Sequence, residues 1–505
     1  MTVHPVLRLS GITKRFGTTL ANDGISIDLA PGEVLALLGE NGAGKTTLMS
    51  ILFGHYTPDA GTVEVAGIQL PPGKPRAAIR AGVGMVHQHF SLAANLSVLE
   101  NVMTGTESLW QLKSSTGDAR RKLLSIAERF GLAVDPDVRV GDLSVGEQQR
   151  VEILKALYND AKILILDEPT AVLTNIEAEK LFATLRVMAQ SGLSLIFISH
   201  KLNEVMAAAD RVVVLRGGKV VAERLASATD KAELAELMVG RRVARPVREA
   251  AVPGPVLLEA VNLDVGTKLS GINFQVREGE TLGIIGVSGN GQTALGHLVS
   301  GLVQHTGGEL RLFGEAVTHT SVRSLIEAGV GRIPEDRNSE GAIGEMAIWE
   351  NAILERIWEF SSNGLVDRRA ARAFATQIID GFDVRGGTPD SRTRLLSGGN
   401  MQKLILGRNL QNRPRILIAA QPTRGLDEGA IAAVHTRILE ARRAGTGVLL
   451  ISEDLDEVIS LADRIQAIVK GRLSPPVPAE QADARMLGLM MAGDWPQDGK
   501  FAHAS

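Results

Sequence analysis

A glycine-rich segment near the amino end has the residue types of a phosphate-binding loop. Residues 39–46 read GENGAGKT, which matches the pattern G-x-x-x-x-G-K-[ST]. In that pattern backbone N–H groups surround a phosphate, the lysine offsets its charge and the threonine hydroxyl binds Mg²⁺. For the segment alone, a plain glycine turn is the alternative. The residues predicted to bind a nucleoside triphosphate are Gly39, Asn41, Gly42, Ala43, Gly44, Lys45, Thr46 and Thr47.

Two adjacent carboxylates follow a short apolar run later in the chain. Asp167 and Glu168 come directly after the residues ILIL at 163–166. A buried strand would deliver both side chains to the mouth of a phosphate pocket, where Asp167 suits the metal shell and Glu168 suits the orientation of a water molecule. An ordinary surface Asp-Glu pair would not need the apolar run. We therefore predict phosphate-transfer chemistry with Mg²⁺ held by Thr46 and Asp167.

The same arrangement recurs in the second half of the chain with altered side chains. Residues 286–293 read GVSGNGQT and residues 416–422 read ILIAAQP. Gly39 and Gly286 are 247 residues apart, whereas Ser144 and Ser397 are 253 apart, which indicates a duplication with a net insertion of six residues. The lysine and both carboxylates are absent from this copy. Its residues at the matching positions are Gly286, Gly289, Gly291, Gln292, Thr293, Ala420 and Gln421.

Each half also contains a serine and glycine turn before a helical stretch. Residues 143–150 read LSVGEQQR and residues 396–403 read LSGGNMQK. Backbone amides at such a turn can hold a γ-phosphate, whereas helix capping by the serine is the alternative for each turn alone. The candidate residues are Ser144 and Gly146 in the first turn and Ser397, Gly398 and Gly399 in the second.

The elements that must position these motifs alternate along each half. Short apolar strands at 33–38, 161–166 and 194–199 alternate with helical stretches such as 177–189. This alternation predicts an α/β fold with a mainly parallel sheet, at whose carboxyl edge the ligand binds. A proline- and charge-rich stretch near residue 250 marks the junction. We predict a first domain at 5–245, a linker at 246–255, a second domain at 256–490 and a tail at 491–505, of which the last ten residues are expected to be poorly ordered.

Chain length and composition argue against several classes of protein. The 505 residues favour at least two domains, and no apolar run approaches the length of a membrane helix. The absence of cysteine excludes disulfides and thiolate metal sites. A net charge of -3 argues against general nucleic-acid binding, and the arginines at 241, 242, 245 and 248 fit a solvated linker better than a basic patch. The start of the chain lacks the features of a secretory signal, so we expect a cytoplasmic protein.

With its motifs in this order, twice, the chain resembles the ATP-binding subunit of an ABC transporter over residues 5–475. The resemblance implies two tandem P-loop domains, each with a helical subdomain, and ATP and Mg²⁺ as ligands. It also implies a Q-loop glutamine at Gln88 that contributes to the Mg²⁺ site, a switch histidine at His200, and Phe16 as the candidate adenine-stacking residue. A core phenylalanine is the alternative for Phe16. The histidines at 87 and 89 flank Gln88, and we interpret them as loop residues rather than metal ligands.

ABC domains pair head to tail, so the resemblance sorts the motif residues into two pockets. Every residue type of the first pocket fits the family pattern, and the second pocket departs from it. The catalytic residues of the first are Lys45, Gln88, Glu168 and His200, joined by Ser397, Gly398, Gly399 and Asp427 from the second half. The second combines Gln292, Glu335, Ala420, Gln421 and Glu453 with Ser144, Val145, Gly146 and Thr174. We predict that the second pocket is catalytically silent.

Several segments resemble the importers of simple sugars and nucleosides in particular. They are VHQHF at 86–90, the stretch 143–157, IPEDR at 333–337 and AAQPTRGLD at 419–427. The resemblance implies an ATPase at the cytoplasmic face of the membrane, two integral-membrane permease subunits and, indirectly, an extracytoplasmic substrate-binding protein, with no nucleic-acid partner. The GNGQ and AAQPTRG forms favour nucleosides over sugars. The alternative is a soluble tandem ABC ATPase acting on ribosomes or nucleic acid.

Overall fold

The computed structural model describes residues 4–17, 19–87, 90–105, 116–170, 173, 175–199, 201–240, 246–250, 252–317 and 321–495. The chain divides into two compact units, one made mainly of residues up to 243 and the other mainly of residues after it, and each is described by itself. Both units have mixed sheets flanked by helices, so the predicted α/β fold class is confirmed. The domain limits inferred from the sequence stay a prediction.

The first unit alternates strands and helices as the sequence predicts. Its strands are β1 (Leu7–Phe16), β2 (Thr19–Leu29), β3 (Val34–Leu38), β4 (Ala60–Val65), β5 (Ile68–Gln69), β6 (Val83–Val86), β7 (Ile163–Asp167), β8 (Ser194–Ser199), β9 (Arg211–Arg216) and β10 (Lys219–Leu225). Its helices are α1 (Lys45–Phe53), α2 (Pro75–Arg80), α3 (Val98–Met103), α4 (Thr116–Phe130), α5 (Val145–Tyr158), α6 (Asn175–Gln190), α7 (Leu202–Ala208) and α8 (Lys231–Val239).

The main sheet of this unit has the strand order β10-β9-β3-β8-β7-β6, and all its neighbours are parallel except the edge pair β9 and β10. Strands β3, β7 and β8 are buried along their whole length, as expected of a parallel sheet that is covered on both faces. Alternate residues of β3 accordingly belong to two different cores. A second, antiparallel sheet has the order β2-β1-β4-β5.

The second unit repeats this architecture. Its strands are β11 (Val256–Val265), β12 (Leu269–Arg277), β13 (Thr281–Ile285), β14 (Gly307–Leu312), β15 (Glu315–Ala316), β16 (Val330–Ile333), β17 (Ser361–Ser362), β18 (Leu365–Val366), β19 (Ile416–Ala420), β20 (Gly447–Ser452), β21 (Arg464–Val469), β22 (Arg472–Leu473) and β23 (Val477–Pro478). Its helices are α9 (Gln292–Val299), α10 (Val322–Glu327), α11 (Ile348–Ile353), α12 (Arg368–Gly381), α13 (Gly398–Leu410), α14 (Glu428–Arg443), α15 (Leu455–Leu461) and α16 (Ala484–Met491).

The parallel strands of this unit follow the order β16-β19-β20-β13-β21, and β22 and β23 pair antiparallel with β21. An antiparallel sheet with the order β12-β11-β14-β15 accompanies them. In both units, therefore, the loop after the central strand β3 or β13 and the loop after β7 or β19 leave the same edge of a parallel sheet. That edge is where ligands of such sheets bind.

The segment predicted to be a solvated linker is attached to the second unit. The Arg248 side chain is only 17% exposed and donates to Asp463 at 2.9 Å, so the interpretation of this arginine as solvated is wrong. Local composition could not reveal a partner 215 residues away. Of the predicted tail, residues 496–505 lie outside the described residues. No helix in the described ranges combines the length and apolar character needed to cross a membrane.

Candidate functional site

The first glycine-rich loop connects β3 to α1 and is shaped by Gly44. This residue is the N-cap of α1 and has a φ of +98°, a conformation that strongly favours glycine. A Cβ atom at Gly44 would lie 2.2 Å from the Ala21 carbonyl oxygen, so no side chain fits there. The loop therefore turns tightly into the positive end of a helix, where backbone N–H groups can meet a phosphate.

Lys45 is the first residue of α1 and is buried inside this loop, with 5% of its surface exposed. Its Nζ donates to the carbonyl oxygens of Gly39 at 2.7 Å and Glu40 at 2.9 Å. Burial lowers the pKa of Lys45, and the nearby carboxylates of Glu168 and Asp167 oppose that shift. The ammonium group is thus already held at the loop rather than extended into solvent.

Asp167 ends β7 at the same sheet edge. Burial first, and then the neighbouring Glu168, raise the pKa of Asp167 to about 6, while a hydrogen bond from the Thr46 hydroxyl opposes the rise. A buried carboxylate beside a hydroxyl is a donor set suited to Mg²⁺. These residues fit the predicted metal ion, which would be held by Thr46 and Asp167 and would neutralise phosphate charge.

Glu168 has the unusual backbone φ of +47°, and non-glycine residues rarely adopt this left-handed conformation. Its N–H donates to the Ile198 carbonyl oxygen of β8 at 3.1 Å, which fixes the turn just after the strand. The assignment of Glu168 as the residue that orients water stays a prediction. Gln88, His200 and Thr174 lie outside the described residues.

Sequence reasoning missed several polar residues that support this edge. Asn22 is fully buried, and its Nδ2 donates to the Gly44 carbonyl oxygen at 3.0 Å. Gln149 of α5 donates to the Pro169 carbonyl oxygen. Glu204 accepts from the hydroxyls of Thr170 and Ser199. An isolated asparagine or glutamate carries no local signal, because its role comes from contacts formed only in the folded chain.

The second glycine-rich loop has the same backbone conformation as the first, but it lacks hydrogen bonds like those that Lys45 donates. Gly291 is the N-cap of α9 with a φ of +115°, and Gly289 has a φ of +86°. Gln292 is 6% exposed, and neither of its amide atoms has a hydrogen-bond partner among the described residues. A Cβ atom at Gly286 would lie 2.7 Å from the Gln292 Nε2. The shorter amide therefore stays folded against the loop.

A network of charged residues lies beside the second loop. The Thr293 hydroxyl, which matches the Mg²⁺ ligand position of the first copy, donates to Glu335 Oε2 at 3.0 Å. Arg424 Nη1 donates to Glu335 Oε1 at 2.9 Å. Burial raises the pKa of Glu453, while a hydrogen bond from Ser288 and the charge of Arg424 oppose the rise. The sequence predicted the acidic replacements but missed the arginine that neutralises them.

The backbone of the second copy is preserved where its carboxylates are lost. Gln421 has a φ of +47°, the same as Glu168, and its N–H donates to the Ile451 carbonyl oxygen at 2.7 Å. Its side-chain oxygen accepts from the Glu453 N–H at 3.4 Å. Ala420 ends β19 where Asp167 ends β7. The position that matches Asp167 therefore has no carboxylate.

Both serines of the Ser-Gly turns cap helices. Ser144 accepts from the N–H of Glu147 in a capping box at the start of α5, and Ser397 accepts from the N–H of Asn400 at the start of α13. The capping alternative is thus correct for the side chains, and a phosphate contact stays a prediction. Val145 is 42% exposed. The remaining turn residues Gly146, Gly398 and Gly399 lie in the first turns of these helices, and Asp427 immediately precedes α14.

Phe16 ends β1 and is 45% exposed, so its interpretation as a core residue is wrong. Its ring meets that of Tyr56 edge to face at a centroid distance of 5.4 Å, and Lys14 Nζ lies 5.4 Å from the Phe16 ring centroid. An exposed aromatic ring of this kind can stack on a base. The assignment of Phe16 to adenine stacking stays a prediction.

The His87 ring stacks on His55 at a centroid distance of 5.5 Å. Burial lowers the pKa of His87, and the neighbouring His55 lowers it further. Within the described ranges, no group of three or more His, Asp or Glu side chains is arranged to hold a metal ion. His89 lies outside the described residues.

Comparison with known proteins identifies the family. The ABC transporter family model matches residues 22–171 and 269–424. The chain is 44% identical to the glucose import ATP-binding protein TsgD13 of Haloferax volcanii, covering 98% of this chain and 96% of the relative. It is 42% identical to the nucleoside import ATP-binding protein NupA of Lactococcus lactis subsp. cremoris, covering 98% and 99%. It is 41% identical to the guanosine import ATP-binding protein NupO of Bacillus subtilis, covering 97% of each.

Among solved structures, the chain is similar to one described as a complex of archaeal ribosomal stalk protein aP1 and archaeal ribosome recycling factor aABCE1. The TM-score is 0.62 at 20% identity, covering 95% of this chain and 92% of that chain. At this identity the likeness concerns the fold alone. The family match falls on both glycine-rich loops and on the strands that present them. The chain therefore belongs to the ABC transporter family and is an ATPase that uses ATP and Mg²⁺.

Proposed function

We propose that this ATPase is the motor subunit of an ABC importer for a nucleoside or a simple sugar. The observation that carries the proposal is the contrast between a first loop that has the lysine and both carboxylates and a second loop that has lost all three. Relatives at 41–44% identity over nearly the whole chain are named for the import of glucose, nucleosides or guanosine. An importer of this family works with membrane permeases, and no helix of the described residues could cross a membrane.

The residues of the first loop and of the end of β7 have separate roles in hydrolysis. The amides of the loop and of α1 bind the phosphates, and Lys45, held by two carbonyl oxygens, offsets their charge. Mg²⁺, when bound by Thr46 and Asp167, neutralises further charge. Glu168 orients the attacking water and accepts its proton. Because Lys45 is held by the loop carbonyl groups and Glu168 by the turn after β7, little rearrangement is needed as charge develops.

The family pairing implies a composite site, which we adopt as part of the proposal. ATP at the first loop is completed by the second domain's signature turn, Ser397, Gly398 and Gly399, and by Asp427. Gln88 and His200 complete the set from the first domain. The opposite pocket, with Gln292, Ala420 and Gln421, is proposed to be silent in hydrolysis. ATP binding closes the paired domains, and hydrolysis at one site reopens them.

Two permease subunits and an extracytoplasmic substrate-binding protein complete the proposed importer, with this chain peripheral at the cytoplasmic face of the membrane. The transported molecule does not touch the ATPase, so its identity comes only from relatives. Those relatives include both glucose and nucleoside importers. The sequence features that favour nucleosides make a nucleoside our first choice.

Affinity purification of the tagged full chain from membranes tests the proposal. We expect integral-membrane permease chains to co-purify, and the complex to hydrolyse ATP and accumulate labelled guanosine in proteoliposomes when the cognate binding protein is added. Glucose and ribose serve as competitors, and the Glu168→Gln complex serves as the inactive control. Recovery with ribosomes in place of permeases would overturn the proposal in favour of the soluble alternative.

A further inference from the structure

An arginine that ends the IPEDR segment at 333–337, and for which no role has been given above, lies against the signature turn of the second unit. Arg337 lies two residues beyond Glu335 and begins a short π-helical segment, Arg337–Gly341. A Cβ atom at Gly398 would lie 2.9 Å from Arg337 Nη2 and 3.3 Å from Arg337 Cζ. The guanidinium therefore covers the backbone of Gly398, and the absence of a side chain at this glycine makes the contact possible.

The guanidinium is held in place by a carbonyl group rather than by a carboxylate. Arg337 Nη1 donates to the Arg424 carbonyl oxygen at 2.6 Å. The adjacent Asp336 is turned away to cap the π-helical segment, accepting from the N–H groups of Asn338 and Ser339. Among the described residues, no carboxylate oxygen lies within ion-pair distance of Arg337. Its positive charge is thus not cancelled by a direct partner and lies beside the positive end of α13.

A chain of contacts connects this arginine to the second glycine-rich loop. Thr293 donates to Glu335, Arg424 donates to Glu335, and the Arg424 carbonyl oxygen accepts from Arg337. Glu335, which replaces the Q-loop glutamine, is therefore connected through Arg424 to the segment that supports Gly398. The network is partly exposed, with Arg424 54% and Glu335 25% exposed, so it positions this segment by linking three separate parts of the chain rather than by burial.

The first half of the chain lacks both members of this contact. The position that matches Arg337 is Phe90, and the position that matches Gly398 is Val145. The arginine thus accompanies the glycine-containing turn, which serves the hydrolytic site in the proposed pairing. The phenylalanine accompanies the valine-containing turn, which serves the silent one.

We propose that Arg337 is a positioning residue for ATP hydrolysis. It fixes the signature turn at Gly398 and is itself fixed by the Thr293–Glu335–Arg424 network. The inference rests on the composite site proposed above. In that site a displaced turn would present its amides poorly to the γ-phosphate of ATP bound at the first loop. The second loop then contributes to hydrolysis without carrying out any.

Steady-state ATPase kinetics of the assembled permease complex test this role. We expect Arg337→Ala to lower kcat by about tenfold or more, since misplacement of a supporting group by about 1 Å can cost 10²-fold, with little change in the KM for ATP. The kcat of Arg337→Lys should lie between those of the wild type and Arg337→Ala, because lysine keeps the positive charge but lacks the planar guanidinium group. The thermal unfolding midpoint should stay at the wild-type value, which separates positioning from loss of folding.

Arg394→Ala is the matched control, because Arg394 precedes the same turn but pairs with Glu345 at 3.2 Å in an exposed position. It should retain wild-type kcat. A kcat of Arg337→Ala within about twofold of wild type, or an equal loss in Arg394→Ala, would overturn the inference. The Glu168→Gln variant separates a failure of the role proposed for Arg337 from a failure of the proposed hydrolytic site. If Glu168→Gln is inactive and Arg337→Ala is not impaired, only the role of Arg337 fails. If Glu168→Gln remains active, the proposed hydrolytic site fails and the role of Arg337 fails with it.

Discussion

The two glycine-rich loops of this chain share a backbone and differ in their side chains. Gly44 and Gly291 both cap a helix with positive φ, and Glu168 and Gln421 have the same φ of +47°. Yet Lys45 bonds to two loop carbonyls, whereas both amide atoms of Gln292 lack partners among the described residues. The shape of a phosphate loop therefore survives the loss of its catalytic groups.

The supporting residues explain why the shape survives. Gln149 and Gln402 each donate to the carbonyl of the proline after the second motif, Pro169 and Pro422. In the same way Glu204 and Glu457 each accept from one threonine and one serine, which are Thr170 and Ser199 in the first unit and Thr423 and Ser452 in the second. Removing one member of a buried pair leaves the other unsatisfied, at a cost of about 1–3 kcal/mol. This cost falls on the fold whether or not the loop hydrolyses ATP.

The largest expected difference between the two loops is in catalysis. Lys45→Ala or Glu168→Gln should abolish ATP hydrolysis by the assembled complex, since loss of one preorganised group commonly costs 10²–10³-fold, roughly, in rate. Gln421→Ala should change the rate little, because Gln421 offers no carboxylate. The measurement is steady-state ATPase activity of the purified complex.

Single-turnover hydrolysis sharpens this test. A trapped closed complex should cleave ATP in one pocket only. Equal losses from the Glu168 and Gln421 variants, or two cleaved ATP molecules per complex, would contradict the predicted asymmetry.

The second expected difference is in stability and concerns Arg442, a buried arginine of the second unit. Arg442 has a side chain 2% exposed that donates twice to Asp463 and once to the Glu249 carbonyl oxygen; its counterpart in the first unit is Ala189. Arg442→Ala should destabilise the second unit by about 1–3 kcal/mol, because it removes three hydrogen bonds from a buried site while Arg248 still donates to Asp463. Urea unfolding followed by tryptophan fluorescence measures the change, since three of the four tryptophans, at 349, 358 and 495, lie in the second half of the chain.

Arg443→Ala is the control for this prediction. Arg443 is 45% exposed and pairs with Glu249 at 3.1 Å, so its loss should cost about 1 kcal/mol or less. Equal costs for the two variants would show that burial does not distinguish them.

A smaller effect is expected when a residue that supports the first loop is replaced by its counterpart from the second. Asn22 donates to the Gly44 carbonyl oxygen, whereas the matching residue in the second unit is the apolar Leu269. Asn22→Leu should weaken ATP binding by about fivefold, the equivalent of one hydrogen bond of about 1 kcal/mol. Titration with a fluorescent ATP analogue measures the Kd, and an unchanged Kd would mean that Asn22 only fills space.

The smallest effect is expected at Gln292. Gln292→Met removes two buried amide atoms that lack protein partners and keeps a side chain of similar length. The free energy of unfolding of the second unit should stay the same or rise by about 1 kcal/mol, and ATPase activity should stay near wild type. A marked loss of either would indicate that the amide binds a ligand needed for function.

The sequence predicted the fold class and the placement of the motifs closely. The strand expected at 194–199 is β8, and the strands expected at 33–38 and 161–166 begin one and two residues later in the structure. Such segments are predictable because apolar runs between glycine-rich turns carry a local signal. By contrast, nothing local marks Asn22, Arg424 or Arg442. Each acquires its role from a partner that the fold brings close, and for Arg424 that partner, Glu335, is 89 residues away.

By itself, the sequence determined that one copy of a duplicated domain has the lysine and both carboxylates and that the other has glutamine, alanine and glutamine there, because these differences are differences of residue type. The tertiary structure determined which contacts the replacement residues of the second copy form. Glu335, Arg424 and Arg337 became a bonded network beside Gly398 only when three separate segments met. Contacts of this kind depend on which surfaces the sheets and helices bring together, and residue order alone does not record them.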